Sequence, residues 1–141
     1  MPLSSRARPF LVALTPEAKA ALGGAGVEIG VFPFRVGRDS RGVARSASGT
    51  SAERRKPGTQ PANELYLAET GERFNVSREH FQIEDNGASY VLVDRQSTCG
   101  TIVEGAVIGG GNTGGTVQLS DGDVIIAGTS NSSYVFKFRL R

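Results

Sequence analysis

The sequence predicts an all-β chain, a sandwich or barrel of short strands, on three observations. Apolar and polar residues alternate at period two in several short runs, as in Tyr134–Leu140. Turn-forming pairs such as Asn86-Gly87 and Asp121-Gly122 separate those runs. Glycine is abundant, with 19 residues in a chain that is 38% hydrophobic, which fits many tight turns rather than long helices. The length of 141 residues suits a single domain over residues 1–141.

The elements follow in order. Residues 1–7 read as a flexible N-terminal tail. Phe10–Leu14 is the first strand candidate. Thr15 then caps a short helical insertion near residues 16–22, with Pro16 at its first position and Gly23 just past its end. Val27–Val36 reads as one strand, and Leu65–Leu67 as another. Phe81 and Ile83 alternate with Gln82 and Glu84. Asn86-Gly87 turns that strand into the apolar run Tyr90–Val93. Asp123–Ala127 is short and apolar. In Tyr134–Leu140, Tyr134, Phe136, Phe138 and Leu140 share one face, opposite Lys137 and Arg139. Two stretches read as loops. Residues 41–63 lack large apolar side chains and are expected to be a mobile basic loop. Residues 109–115, GGGNTGG, are expected to form a flexible turn between two strands; they lack the Gly-Lys-Ser/Thr ending of a phosphate loop.

Several classes are excluded. No apolar run is long enough to cross a membrane. The apolar part of the N-terminus is broken by Pro16 and Glu17, so no secretory leader is expected. A single cysteine and a single histidine rule out an intrachain disulfide, a cysteine-based zinc site and a multi-histidine metal centre. The expectation is a cytoplasmic chain with no cofactor and no metal.

The formal net charge is +2, yet it is unevenly spread. Between Arg35 and Lys56 stand seven cations against Asp39 and Glu53, a local excess of five that leaves the rest of the chain at −3. No aromatic residue interleaves these cations to stack on bases, which disfavours a nucleic-acid reader.

The polar residues that carry chemistry sit at strand boundaries. Gly37-Arg38 follows the strand ending at Val36. Ser77-Arg78-Glu79-His80 leads into Phe81. Asp94 to Thr101 follows the strand Tyr90–Val93. Loops of a sandwich cluster at its two ends, so these segments can share a site. Two arginines and a serine hydroxyl are donors suited to a phosphate monoester.

The order Gly37-Arg38, Ser77-Arg78-x-His80, Ser97-Thr98-x-Gly100-Thr101 and Leu119-x-Asp121-Gly122-Asp123 closely resembles the forkhead-associated (FHA) domain. The segment Asn63-Glu64-Leu65-Tyr66-Leu67 is similar to the stretch ahead of that family's Ser-Arg-x-His motif. The resemblance covers about Val27 to Leu140. It implies a two-sheet β-sandwich of about eleven strands that binds phosphothreonine peptides through loops at one end. It assigns phosphate contacts to Arg38, Ser77 and Arg78, and a place beside the phosphothreonine to Thr98. It makes Gly37, His80 and Gly100 structural supports of the site, with the His80 ring steadying the loop that carries Ser77. The implied partner is a phosphothreonine-containing protein or peptide, such as a Ser/Thr kinase or its substrate.

One departure stands out. Cys99 occupies the position where the family usually has an asparagine that bonds the peptide backbone, and a thiol cannot replace a carboxamide. The alternative reading is therefore a phospho-independent scaffold with a degenerate pocket. A hydrolase triad of Ser77 or Ser97 with His80 and Asp94 is disfavoured. No Gly-x-Ser-x-Gly elbow is present, and His80 follows Ser77 by only three residues. No catalytic residue is expected.

Overall fold

The computed structural model describes residues 7–38, 63–69 and 75–141. The tail at 1–6 and most of the basic loop, 41–62, lie outside the described residues.

Alternation along the chain sorts side chains between a buried and an outer face, and eleven strands result. β1 (Pro9–Ala13) leads into α1 (Pro16–Leu22), then β2 (Gly26–Glu28), β3 (Phe34–Arg38), β4 (Leu65–Leu67), β5 (Phe81–Asp85), β6 (Tyr90–Asp94), β7 (Thr101–Val103), β8 (Ala106–Ile108), β9 (Gly115–Leu119), β10 (Val124–Ala127) and β11 (Val135–Leu140). They form a six-stranded sheet, β2-β1-β11-β10-β7-β8, and a five-stranded sheet, β4-β3-β5-β6-β9. The β3–β4 pair is parallel, and the other pairs are antiparallel.

The core lies between the sheets. Leu11, Ile125, Phe136 and Phe138 enter it from one side; Val36, Leu67, Phe81, Ile83 and Leu92 enter from the other, all fully buried. Phe136 and Phe138 sit inward while Lys137 is half-exposed, as the period-two pattern requires. Helix α1 packs against β1, β2 and β4, covering the edge between the sheets, with Ala18 buried. Its ends match the sequence signals. Thr15 Oγ1 accepts from the Ala18 N–H at 3.2 Å, Pro16 opens the helix, and Gly23 closes it with φ 78°.

Two boundaries differ from expectation. Val27–Val36 is not one strand: β2 and β3 belong to different sheets, and residues 29–33 carry the chain between them. Pro33 has no N–H for a ladder, which favours a break there. At the end of the basic loop, Asn63 is 2% exposed and hydrogen-bonded to the Arg78 carbonyl.

Antiparallel pairing brings the working ends together. Arg38 at the end of β3, the segment before β5, and the segment after β6 all lie at one end of the sandwich. The starts of β7 and β9 and the end of β8 join them. Arg35 is held outside this group. Its Nε and Nη2 donate to Glu64 Oε1 at 2.8 Å and Oε2 at 2.5 Å. The paired guanidinium holds the Glu64 carboxyl below its ordinary value. One of the seven cations in the basic stretch therefore serves the β3–β4 junction.

Gly37 explains itself by proximity. A Cβ there would stand 1.9 Å from the Arg78 carbonyl oxygen and 2.7 Å from Asn63 Nδ2. Gly37→Ala must push apart backbone segments. It is expected to lower stability by about 1–3 kcal/mol, read as a drop in the chemical denaturation midpoint. An unchanged midpoint would contradict this packing.

Candidate functional site

The rim of the sandwich is assembled from the main chain outward. The Arg38 N–H donates to the Ser77 carbonyl at 2.9 Å, and Arg38 Nη1 donates to the Val76 carbonyl at 3.2 Å. The guanidinium is thereby laid against the segment that carries Ser77. The Thr98 N–H donates to Ser77 Oγ at 3.0 Å. This bond joins the Ser77 segment to the β6–β7 loop. It also occupies a lone pair of the hydroxyl, and the hydroxyl proton takes no acceptor among the described residues. Arg38, Ser77 and Thr98 are thus linked directly. Arg78 is exposed. Its connection to the group is through its backbone, where its carbonyl accepts from Asn63 Nδ2 at 2.8 Å. Cys99 is half-buried in the same loop.

Under this rim lies His80, 0% exposed. Its Nδ1 accepts from the Ser77 N–H at 2.9 Å, and its Nε2 pairs with the Gly100 carbonyl at 2.7 Å. A carbonyl only accepts, so Nε2 carries the proton and the ring is neutral. Burial pushes the imidazole below its ordinary value, opposed by the Gly100 carbonyl, Asp94 and Glu69. The ring therefore ties the serine segment to Gly100, whose φ of 84° makes glycine the natural occupant.

Asp94, at an inward position of β6, organises the next loop. Its carboxylate accepts from the Ser97 N–H at 2.9 Å, the Ser97 hydroxyl at 2.6 Å and the Thr101 hydroxyl at 2.8 Å. Ser97 Oγ in turn accepts from the Gly100 N–H at 2.9 Å. These bonds run against the triad alternative. Ser97 turns its hydroxyl to Asp94, Ser77 meets the imidazole through its main-chain N–H, and neither hydroxyl is paired with a histidine nitrogen.

Three residues of the site were not singled out in the sequence for what they do there. Arg95 Nη1 donates to Asn63 Oδ1 at 2.7 Å, and Arg95 Nη2 lies 3.2 Å from Glu79 Oε1. Burial draws the Arg95 guanidinium below its ordinary value, while Glu79 opposes the shift. Asn63, Glu79 and Arg95 thus lace together the segments before β4, before β5 and after β6. Nothing in the local pattern distinguished them. The inward register of Asp94 in YVLVD was a usable signal that its loop is anchored from below.

At the same end of the sandwich, Asn75 Oδ1 accepts from the Thr129 hydroxyl at 2.6 Å. The Glu69 carboxylate accepts from the Asn75 and Val76 N–H groups at 3.1 and 2.8 Å. No cluster of three or more metal-ligating side chains occurs among the described residues, and no described helix is long and apolar enough to cross a membrane.

The FHA domain family model matches residues 34–128, more than half of the chain. The chain belongs to the FHA domain family. Solved structures with the same fold include Mycobacterium tuberculosis EmbR in complex with a low affinity phosphopeptide, at 24% identity and a TM-score of 0.60. That match covers 99% of this chain and 26% of EmbR, so this chain spans about a quarter of it. The kinase-interacting FHA domain of the kinase associated protein phosphatase KAPP of Arabidopsis is 23% identical, with TM-score 0.60, covering 96% of this chain and 94% of that one. The FHA domain of the CT664 protein from Chlamydia trachomatis is 22% identical, with TM-score 0.56, covering 94% and 96%. No curated protein matches the sequence.

The neutral His80 imposes a pH dependence on stability. Its pKa is depressed in the folded chain, so the unfolded chain binds the extra proton first. Its contribution is full above the ordinary histidine value of 6.5 and is lost as pH falls through the lower folded value. Denaturant unfolding is expected to show stability falling below about pH 6.5, with a slope of at most about 1.4 kcal/mol per pH unit. Glu64 acts in a separate, more acidic window. Its depressed carboxyl contributes above its unfolded value of 4.5, and the contribution disappears as pH falls through the lower folded value. A flat profile between about pH 7 and 5 would contradict a buried neutral His80.

Proposed function

We propose that this chain is a phosphothreonine-reading module that binds a partner protein through the Arg38–Ser77–Thr98 rim and performs no chemistry on it. The carrying observation is the Ser77 hydroxyl. The Thr98 N–H occupies its oxygen, its proton takes no acceptor among the described residues, and the Arg38 guanidinium is laid against the same segment. A phosphate there would receive the Ser77 O–H and the Arg38 fork, with exposed Arg78 adding charge. Thr98 lies beside the phosphothreonine, and Cys99 lines the peptide path. Gly37, His80 and Gly100 hold the rim in place. A protein of Ser/Thr-kinase signalling, either a kinase or its substrate, supplies the phosphothreonine. The cytoplasmic setting expected from the single cysteine belongs to this reading.

The magnitudes are consistent with a modest affinity. Three hydrogen bonds to a charged group, at roughly 1.5–3 kcal/mol each, total about 5–9 kcal/mol before association costs. A micromolar complex needs about 8 kcal/mol net. Phosphate alone is marginal, so flanking peptide contacts must add to it. Burying the threonine methyl is worth about 0.8 kcal/mol, a few-fold preference over phosphoserine.

Cys99 favours a second reading, a scaffold indifferent to phosphate. Fluorescence anisotropy against a phosphothreonine peptide library separates the two. The wild type is expected to bind phosphorylated members and not their unphosphorylated twins. Arg38→Ala and Ser77→Ala are each expected to lose roughly ten- to a hundredfold in affinity. A partner whose binding survives both phosphatase and Arg38→Ala would establish the scaffold instead.

A further inference from the structure

The glycine-rich turn at 109–115 folds back onto the loop that carries Thr98 and Cys99. The Gly111 N–H donates to the Thr98 carbonyl at 2.8 Å, and the Asn112 N–H donates to the Ser97 carbonyl at 3.0 Å. The Thr113 hydroxyl closes the turn on the Gly110 carbonyl at 2.7 Å. Asn112 is the one residue of this turn with a carboxamide. It is exposed, and it has φ 64°, a left-handed conformation that asparagine tolerates better than most residues. Its Oδ1 accepts from the Thr98 hydroxyl at 3.1 Å, which fixes the plane of the amide. Its Nδ2 donors take no acceptor among the described residues.

We propose that Asn112 is a further binding contact of this site. Held by Thr98, it offers Nδ2 to a main-chain carbonyl of the bound phosphopeptide, and so supplies the carboxamide that Cys99 lacks. The proposal rests on the phosphothreonine reading above. It follows from position and chemistry. Thr98 bridges the two functions, since its N–H holds the Ser77 hydroxyl oxygen and its own hydroxyl holds Asn112. A peptide whose phosphate lies on Ser77 and Arg38 has Thr98 beside it, since the Thr98 N–H is bonded to the Ser77 hydroxyl oxygen. There it meets a donor pair already oriented, with little side-chain entropy left to lose. An extended peptide backbone presents carbonyl acceptors at every residue, whatever its sequence. The contact therefore adds affinity and sets chain direction without restricting side chains.

The test uses anisotropy with a phosphothreonine peptide selected by the wild type and with its unphosphorylated twin. Asn112→Gly keeps the left-handed backbone and removes the carboxamide. Its affinity for the phosphopeptide is expected to fall about fivefold, the loss of one neutral hydrogen bond. Its thermal midpoint should be close to that of the wild type. Asn112→Asp also tolerates this backbone and keeps the acceptor for Thr98, but it removes both donors and adds a negative charge near the phosphate. It should lose at least as much, and it decides the matter if the glycine variant is poorly folded. Adding Cys99→Asn to Asn112→Gly should restore most of the lost affinity, which a merely structural role of Asn112 would not predict. If the wild type binds in a phosphate-dependent manner and folded Asn112→Gly and Asn112→Asp bind as tightly, the inference is overturned and the functional reading stands. If the wild type ignores phosphate, the functional reading falls and the inference falls with it.

Discussion

A single buried imidazole holds two loops of different strands in register. His80 accepts from the Ser77 N–H on one side and donates to the Gly100 carbonyl on the other. Both bonds require the neutral ring protonated at Nε2. Ser77 positions its hydroxyl for Thr98, and Gly100 sets the turn that presents Thr98 and Cys99. Losing either bond of His80 would leave a buried polar group without a partner, at a cost of about 1–3 kcal/mol. The rim residues are exposed or half-exposed. Their geometry is inherited from this ring and from the Asp94 carboxylate beneath the next turn.

Charge is distributed to the same end. Of the seven cations between Arg35 and Lys56, the two that lie among the described residues, Arg35 and Arg38, are held differently. Arg35 is committed to Glu64 by a two-pronged ion pair, and Arg38 is laid along the Ser77 segment. Arg95, outside that window, is tied to Glu79 and Asn63. Arg35 and Arg95 are held by carboxylates, while Arg38 lies against the main chain of the Ser77 segment. The net charge alone carried none of this division.

Much of the fold was legible because alternation is local. Phe136, Phe138, Phe81 and Ile83 each announced an inward face, and all are buried. Thr15, Pro16 and Gly23 marked the ends of the short helix, for the same reason. Strands of three residues, such as β7 and β8, are too short to show a period. The switch of sheets at 29–33 depends on which sheet has room for the chain, and that is a tertiary matter. At the site, Gly37-Arg38 and Ser77-Arg78-Glu79-His80 were legible as motifs. Asn63 and Arg95 were not, since they meet across 32 residues, a separation on which local sequence is silent. Asn112 was visible only as the odd member of a glycine run.

The central claim is the protonation state of His80, and it can be read directly. The chain has one histidine, so long-range nitrogen–proton correlation spectra of uniformly labelled protein contain one imidazole. The account predicts a neutral ring at about pH 7, with Nε2 protonated and Nδ1 bare, that takes up its proton only below the ordinary value of about 6.5. A ring protonated at Nδ1, or one that titrates near the ordinary value of about 6.5, would contradict it.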